Sequence, residues 1–479
     1  MIMGLGTAAT DDRGGLARLW LILTIAALVL RLPDLGNPVI DLDEQMYLLV
    51  GSRMWHGALP YVDIWDRKPI GLFLVYAGTQ GFGGDSVVAY QWAALVAAIA
   101  AAGIVALIAR SMAGARAAVV AGLVYLVWIA LLGGRGGQAP VFYNPLVALA
   151  ALLVWRTLRD APVAPARCAM LLIGLAIEVK PTAVVEGVAF AGLALMASWR
   201  RDPRAGAILR EASLLAALAL VPTFVAAAFY VVTGHGDAWW FANVRSIFLR
   251  HVTANEPVAT RLEGALLVLV IPLAVGLLGL GALRGRARLM MATWLSAAIA
   301  AWLAIQPYYN HYALPLLVPV AVAAGIGAAR CGLFLALLGL AGAALLVLSG
   351  FPHAGETAAA RRDVARGATL VHRYAAGRGC PFVFQAPPVF YTAADACLPT
   401  RYPFASHLTF AGERGAIGVD PADEVLRILR ARPPVIVTAP PQGDVNPATF
   451  AIVMRAIAID YRPVGTSLGY TIYARREGS

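Results

Sequence analysis

Charge is scarce in this sequence of 479 residues: Asp, Glu, Lys and Arg together make up 14%, against about a quarter in a soluble globular domain. Residues are 60% hydrophobic and the mean hydropathy is +0.72. One water-soluble core does not hide that much apolar surface, which excludes a soluble cytosolic enzyme and a disordered regulator alike. Lysine is nearly absent. Only Lys68 and Lys180 stand among 38 basic residues, and each directly precedes a proline. Cysteine is limited to four positions. There is no internal repeat and no low-complexity tract beyond Ala/Leu-rich runs. What the sequence does have is apolar stretches of about 20 residues along most of its length, the pattern of a polytopic α-helical membrane protein.

Eleven spans are expected, at about 16–32, 86–109, 117–133, 144–158, 166–179, 182–199, 211–232, 263–283, 289–306, 312–329 and 332–350. The first lacks a small-residue cleavage site and reads as an anchor rather than a signal peptide. A further apolar segment, 69–84, is short and ends in glycines; it reads as a helix lodged at the membrane face. The net charge of +11 then distributes by side. The segments placed in the cytoplasm carry +10, the outer loops before residue 351 carry −3, and the tail carries +4. Such a bias is the positive-inside pattern. It places the N-terminus in the cytoplasm and the tail outside, and it accounts for the basic surplus without nucleic acid.

The domain reading follows: a transmembrane domain over 1–350, whose first outer loop (33–84) carries juxtamembrane helices, and a soluble α/β domain over 351–479. In the tail, short apolar pieces at 381–386, 433–440 and 469–475 alternate with helical stretches at 356–376, 421–432 and 447–457. Cys380 and Cys397 both fall in this tail, where an oxidising compartment permits a disulfide that spacing alone does not decide. Cys168 and Cys331, at span ends, read as plain small hydrophobes.

The first outer loop carries the chemistry-bearing residues. Asp41, Asp43 and Glu44 cluster just after the first span. A helical pattern over 44–55 turns Tyr47, Leu48 and Trp55 towards the bilayer. Tyr61, Asp63, Trp65, Asp66, Arg67 and Lys68 follow. A solvated loop with aromatic anchors is the ordinary reading of such a segment. Here, however, acids lie at one end and cations at the other, held at membrane depth. A carboxylate takes a proton from an acceptor hydroxyl, and Arg or Lys holds a phosphate as it leaves.

These residues resemble a known family. Asp43-Glu44-x-x-Tyr47, followed by Gly57-x-Leu59-Pro60-Tyr61-x-Asp63-x-Trp65-Asp66-x-Lys68-Pro69, is similar to the first periplasmic loop of GT-C class membrane glycosyltransferases. The similarity is to the protein O-mannosyltransferase-like group that includes lipid A aminoarabinose transferases and rhizobial galacturonosyltransferases. The turn Glu178-Val179-Lys180-Pro181-Thr182 and the span entry Asn310-His311-Tyr312-x-Leu314-Pro315 agree with it. The resemblance covers about 16–350, and more weakly the tail.

It implies a bacterial inner-membrane enzyme with a periplasmic active site. A sugar would pass from a polyprenyl-phosphate donor such as undecaprenyl phosphate to a hydroxyl of a lipid, glycan or protein, with inversion, in lipopolysaccharide or glycolipid modification. Asp43 is implied as general base and Glu44 as its pocket neighbour. Lys68, assisted by Arg67, is implied at the donor phosphate, with Lys180 near the same cavity mouth. Asp41, Tyr47, Tyr61, Asp66, Asn144, Glu178, Glu186, Arg245, Arg250, Tyr309, His311 and Tyr312 are further pocket candidates. The chain departs from the family at Arg67, where relatives often carry His, and at Asn144, where many carry Asp. The second departure leaves a divalent metal open, and no cofactor is required by this reading. His235, His251 and His311 match no metal-binding spacing. A transporter or flippase of lipid-linked sugars is the alternative. It calls for polar or broken helices near the bilayer midplane, whereas here the charges gather at the outer edge.

Overall fold

The structure, a computed structural model, describes residues 5–159, 162–251, 253, 257–441 and 443–476. It divides into two compact units. One comprises Met1–Pro33, Gln91–Phe224 and Val258–His353; the other comprises Asp34–Tyr90, Val225–Pro257 and Ala354–Ser479.

The first unit is helical. Each of the eleven apolar runs coincides with a helix, from Leu5–Arg31 and Ser86–Ala113 to Leu317–Arg330 and Gly332–Leu348. Five of these helices are long and apolar enough to cross a membrane, and most of the others are shorter apolar helices. The tenth run begins later than expected, because Asn310–Ala313 forms a short 3-10 turn before Pro315. Leu317–Arg330 is the packing centre and is buried from Leu317 to Ala328. Small residues let its neighbours come close. A Cβ on Gly325 would lie 2.6 Å from the Ala117 carbonyl oxygen, and one on Gly327 would lie 3.2 Å from the Gly279 nitrogen. Close backbone approach of this kind is how helices associate where hydrocarbon surrounds them and the hydrophobic effect offers no drive. Arg31 ends the first helix by donating to the carbonyls of Gly134, Arg135 and Gly136, at 2.5, 3.0 and 3.2 Å.

The second unit gathers the loop after the first helix, the 225–257 segment and the tail. The loop contains two helices, Leu42–Trp55 and Ile70–Gln80. Asp41 caps the first by accepting from the Asp43 nitrogen at 2.8 Å. The second has 11 residues, about 16 Å of helix, roughly half the thickness of a hydrocarbon core. The two pack so closely that a Cβ on Gly51 would lie 2.8 Å from the Ala77 nitrogen. That packing corrects one expectation. Trp55 is exposed, but Tyr47 and Leu48 are buried within the protein rather than turned outward, and Tyr47 sets its ring edge-on to Tyr76.

The tail carries a four-stranded sheet of β1 (Phe382–Val383), β2 (Val435–Thr438), β3 (Tyr461–Ser467) and β4 (Tyr470–Arg475), in the order β1-β2-β4-β3. β1 and β2 are parallel; β2/β4 and β3/β4 are antiparallel. Helix Ala354–Ala375 precedes β1, and Pro421–Arg430 and Pro447–Asp460 lie between strands in sequence, close to where the periodicity puts them. Asp420 and Asn446 cap the last two, each followed by Pro. β3 is the strand the sequence reading omits. It contains Pro463 and Gly465, poor strand residues, and its register shifts between them; at a sheet edge both are tolerated. Leu468 and Gly469, both at positive φ, close the β3–β4 hairpin. Cys380 and Cys397 are joined in a disulfide.

Candidate active site

In the second unit, the acidic and basic ends of the 33–84 loop meet. The Lys68 ammonium lies 4.0 Å from Asp43 Oδ2, with side chains 27% and 21% exposed, so both remain reachable. The Tyr47 hydroxyl donates to the same carboxylate oxygen at 3.2 Å, and Lys68 stands over the Tyr47 ring at 5.7 Å. Burial holds the Tyr47 hydroxyl well above its usual pKa, and the charges of Asp43, Asp66 and Asp41 add to the effect. Tyr47 therefore stays a hydrogen-bond donor. Glu44, one residue on, is fully buried.

The stretch before Lys68 is held at several points. Asp63 accepts from the Leu59 nitrogen at 2.7 Å. Tyr61 has φ of 70°, and its hydroxyl donates to the Lys68 carbonyl at 2.8 Å. The buried Asp66 accepts from the Arg67 nitrogen at 2.6 Å. The Trp65 nitrogen donates to the Arg401 carbonyl at 2.7 Å. The Arg67 guanidinium pairs through both terminal nitrogens with Glu413, with Nη1 at 2.8 Å from Oε1, and its Nε donates to the Ser246 hydroxyl at 3.2 Å. Arg250 reaches the same carboxylate at 3.2 Å. Arg245 instead lines a cavity of about 760 Å³ with Tyr61, Trp65, Phe241, Arg401 and Arg414. Sequence reasoning missed Glu413, and no local motif marks it.

The remaining candidates belong to the first unit. The Lys180 ammonium stands 4.3 Å from the centre of the Tyr312 ring. Tyr309, His311 and Tyr312 form a ring cluster, Tyr309 stacking parallel to His311 at 5.8 Å, with Arg261 over the Tyr309 ring at 4.3 Å. Glu178 accepts from the Thr223 hydroxyl at 2.6 Å. Glu186, fully buried, accepts from the Trp294 indole at 2.8 Å. Asn144 donates to the Tyr125 hydroxyl at 3.1 Å and to the Leu314 carbonyl at 3.0 Å. Its amide nitrogen is thus engaged by two acceptors of the helix bundle. Among the described residues, no three His, Cys, Asp or Glu side chains gather as a metal site.

No protein-family model matches the sequence, and a search of curated proteins finds no match. Solved structures do match. ArnT from Cupriavidus metallidurans in the apo state superposes with a TM-score of 0.67 at 15% identity, covering 98% of each chain. The same protein bound to undecaprenyl phosphate gives 0.66 at 16%, covering 98% of this chain and 99% of that one. The archaeal oligosaccharyltransferase AglB from Archaeoglobus fulgidus, in complex with an inhibitory peptide and a dolichol-phosphate, gives 0.51 at 12%, covering 97% of this chain and 75% of that one. At such identities the likeness is one of fold, and the fold of this chain is the ArnT-like GT-C membrane fold.

Proposed function

We propose that the chain is a membrane glycosyltransferase that moves a sugar from a polyprenyl-phosphate donor to a hydroxyl acceptor at the outer face of the bacterial inner membrane. The observation that carries this reading is the Asp43–Lys68 pair: a carboxylate and an ammonium 4.0 Å apart, both partly open to solvent, in a loop pinned around them. ArnT and AglB structures of similar fold hold undecaprenyl phosphate and a dolichol-phosphate respectively, which favours a lipid phosphate as the donor carrier.

In this reading the acceptor oxygen attacks the anomeric carbon as Asp43 takes its proton. The bond from that carbon to the phosphate oxygen breaks, and the electron pair leaves with the polyprenyl phosphate. Lys68 stabilises the charge that develops there. Direct displacement inverts the anomeric centre. Glu44 shapes the floor beside Asp43, Tyr47 orients the Asp43 carboxylate, and Lys180 faces the ring cluster of Tyr309, His311 and Tyr312. The transmembrane domain over 1–350 carries the reaction and the tail stands in the periplasm.

The test is transfer by purified protein from a radiolabelled undecaprenyl-phosphate sugar. Asp43→Asn keeps the side chain's shape and removes the base, so turnover should fall by about 10²–10⁴-fold while donor binding persists. Wild-type turnover in that variant would end the assignment.

A further inference from the structure

Glu413 is a buried carboxylate of the second unit held by two cations. Its side chain is 2% exposed and faces two guanidiniums, Arg67 and Arg250. Burial alone would raise its pKa, yet the Arg67 hydrogen bonds and the charges of Arg67, His407 and Arg250 outweigh this and hold it below the ordinary value. A buried charge is costly unless it is paired and hydrogen-bonded. Arg67 is surrounded on its other sides too. Its Nε donates to Ser246, whose hydroxyl donates on to the Ala416 carbonyl at 2.8 Å, and its guanidinium lies 5.4 Å from the centre of the Trp65 ring. A guanidinium bound in this way is not free to follow a phosphate. What it fixes is the backbone it stands on, and the next residue is Lys68.

We infer that Glu413 is a positioning residue: by clamping Arg67 it sets where Lys68 stands beside Asp43, so that the tail templates the loop carrying the donor-binding group. A second tail contact acts in the same direction, the Arg401 carbonyl taking the Trp65 nitrogen at 2.7 Å. Tyr61 closes the arrangement at the Lys68 carbonyl. The role assigned to Lys68 at the donor phosphate rests on the function proposed above; the clamp itself does not.

The chain's scarcity of lysine supplies the test. Only Lys68 and Lys180 carry an ε-amine, so amine acylation of the folded, full-length protein, read by mass spectrometry, reports on Lys68 with Lys180 as internal reference. Glu413→Gln removes the carboxylate that clamps Arg67 and so loosens the turn that carries Lys68 beside Asp43. A loosened turn gives the reagent more access to the Lys68 amine. Lys68 should label at least threefold faster relative to Lys180 at fixed pH. Glu413→Asp, which keeps the charge but shortens the reach, should fall between wild type and Glu413→Gln, and it serves as the reading if the Gln variant does not fold. An unchanged Lys68 rate in a folded variant overturns the proposal. So does equal acceleration of both lysines, which would mark general loosening.

A kinetic arm separates the clamp from the function. If Glu413 acts through Lys68, Lys68→Ala with Glu413→Gln should be no worse in kcat/KM than Lys68→Ala alone, whereas independent losses that multiply count against it. Absence of any sugar transfer by wild-type protein would defeat the proposed function and leave the labelling result to decide the clamp.

Discussion

Lys68 and Asp43 can be separated by what each substitution does. Lys68→Ala removes a charge proposed to be used in donor binding and at the leaving phosphate. It should raise the donor KM at least tenfold, measurable by titrating donor in the transfer assay; an unchanged KM would remove Lys68 from the phosphate. His407 offers a second single-residue measurement. Its ring is buried against Trp65 and Phe404. Burial lowers its pKa to about 4, with Asp66 and Glu413 pulling it up and Arg67 and Lys68 pulling it down. An unfolded histidine titrates near 6.5. Between these values the unfolded chain binds a proton that the folded chain does not, so stability falls as pH drops from about 6.5 to about 4, by about 3 kcal/mol at most. Glu413 has the same sign in a more acid window. Its contribution is present above the unfolded carboxyl pKa and is lost as pH falls through its lowered folded value. The melting temperature should therefore decline across pH 6.5 to 4, and His407→Phe should flatten that decline. A variant as pH-sensitive as wild type would contradict the assignment. Legibility at this scale follows sequence distance. Asp43, Tyr47 and Lys68 lie in one loop and carry a readable pattern. Arg67 and Glu413 are 346 positions apart, and no local spacing links them.

Among the elements, the contact between Leu42–Trp55 and Ile70–Gln80 carries the loop. The helix carrying Asp43 is seated on its neighbour at Gly51, where an added Cβ would lie 2.8 Å from the Ala77 nitrogen and 2.9 Å from the Tyr76 carbonyl carbon. Backbone atoms cannot swing aside as a side chain does. Gly51→Ala should force the helices apart at a cost of about 1–3 kcal/mol, lowering both melting temperature and transfer rate. Gly78→Ala, where nothing lies within 4 Å, should be neutral or slightly stabilising, since alanine is the better helix former. Similar losses in both variants would show that the contact at Gly51 is not what matters. This seat also explains why amphipathic periodicity misplaced Tyr47 and Leu48. Their apolar surface reads as lipid-facing in a short helix, yet it is covered by protein. β3 escaped notice for the opposite reason. Pro463 and Gly465 argue against a strand locally, and only pairing with β4 across the Leu468–Gly469 turn makes the segment one.

For the whole molecule the open quantity is sidedness. The charge bias expects the tail outside the cytoplasm, so an alkaline phosphatase fused after residue 350 should be active. Activity of a cytoplasm-dependent reporter at the same point would invert the topology. The Cys380–Cys397 disulfide, closing a separation of 17 residues, suits the same compartment. Replacing both cysteines with serine should cost about 3 kcal/mol by loop entropy, seen as a lower melting temperature of the oxidised protein. Sequence by itself determined that this chain is a bundle of apolar helices with an α/β tail, and which loop holds its acid and its lysine, because hydropathy and short motifs are local properties of adjacent residues. Only the tertiary structure decided that Tyr47 is buried, that Cys380 meets Cys397, and that Arg67 is held by Glu413 from the far end of the chain. Those contacts depend on where folding brings distant segments together, and a buried charge finds its partner in space rather than in sequence.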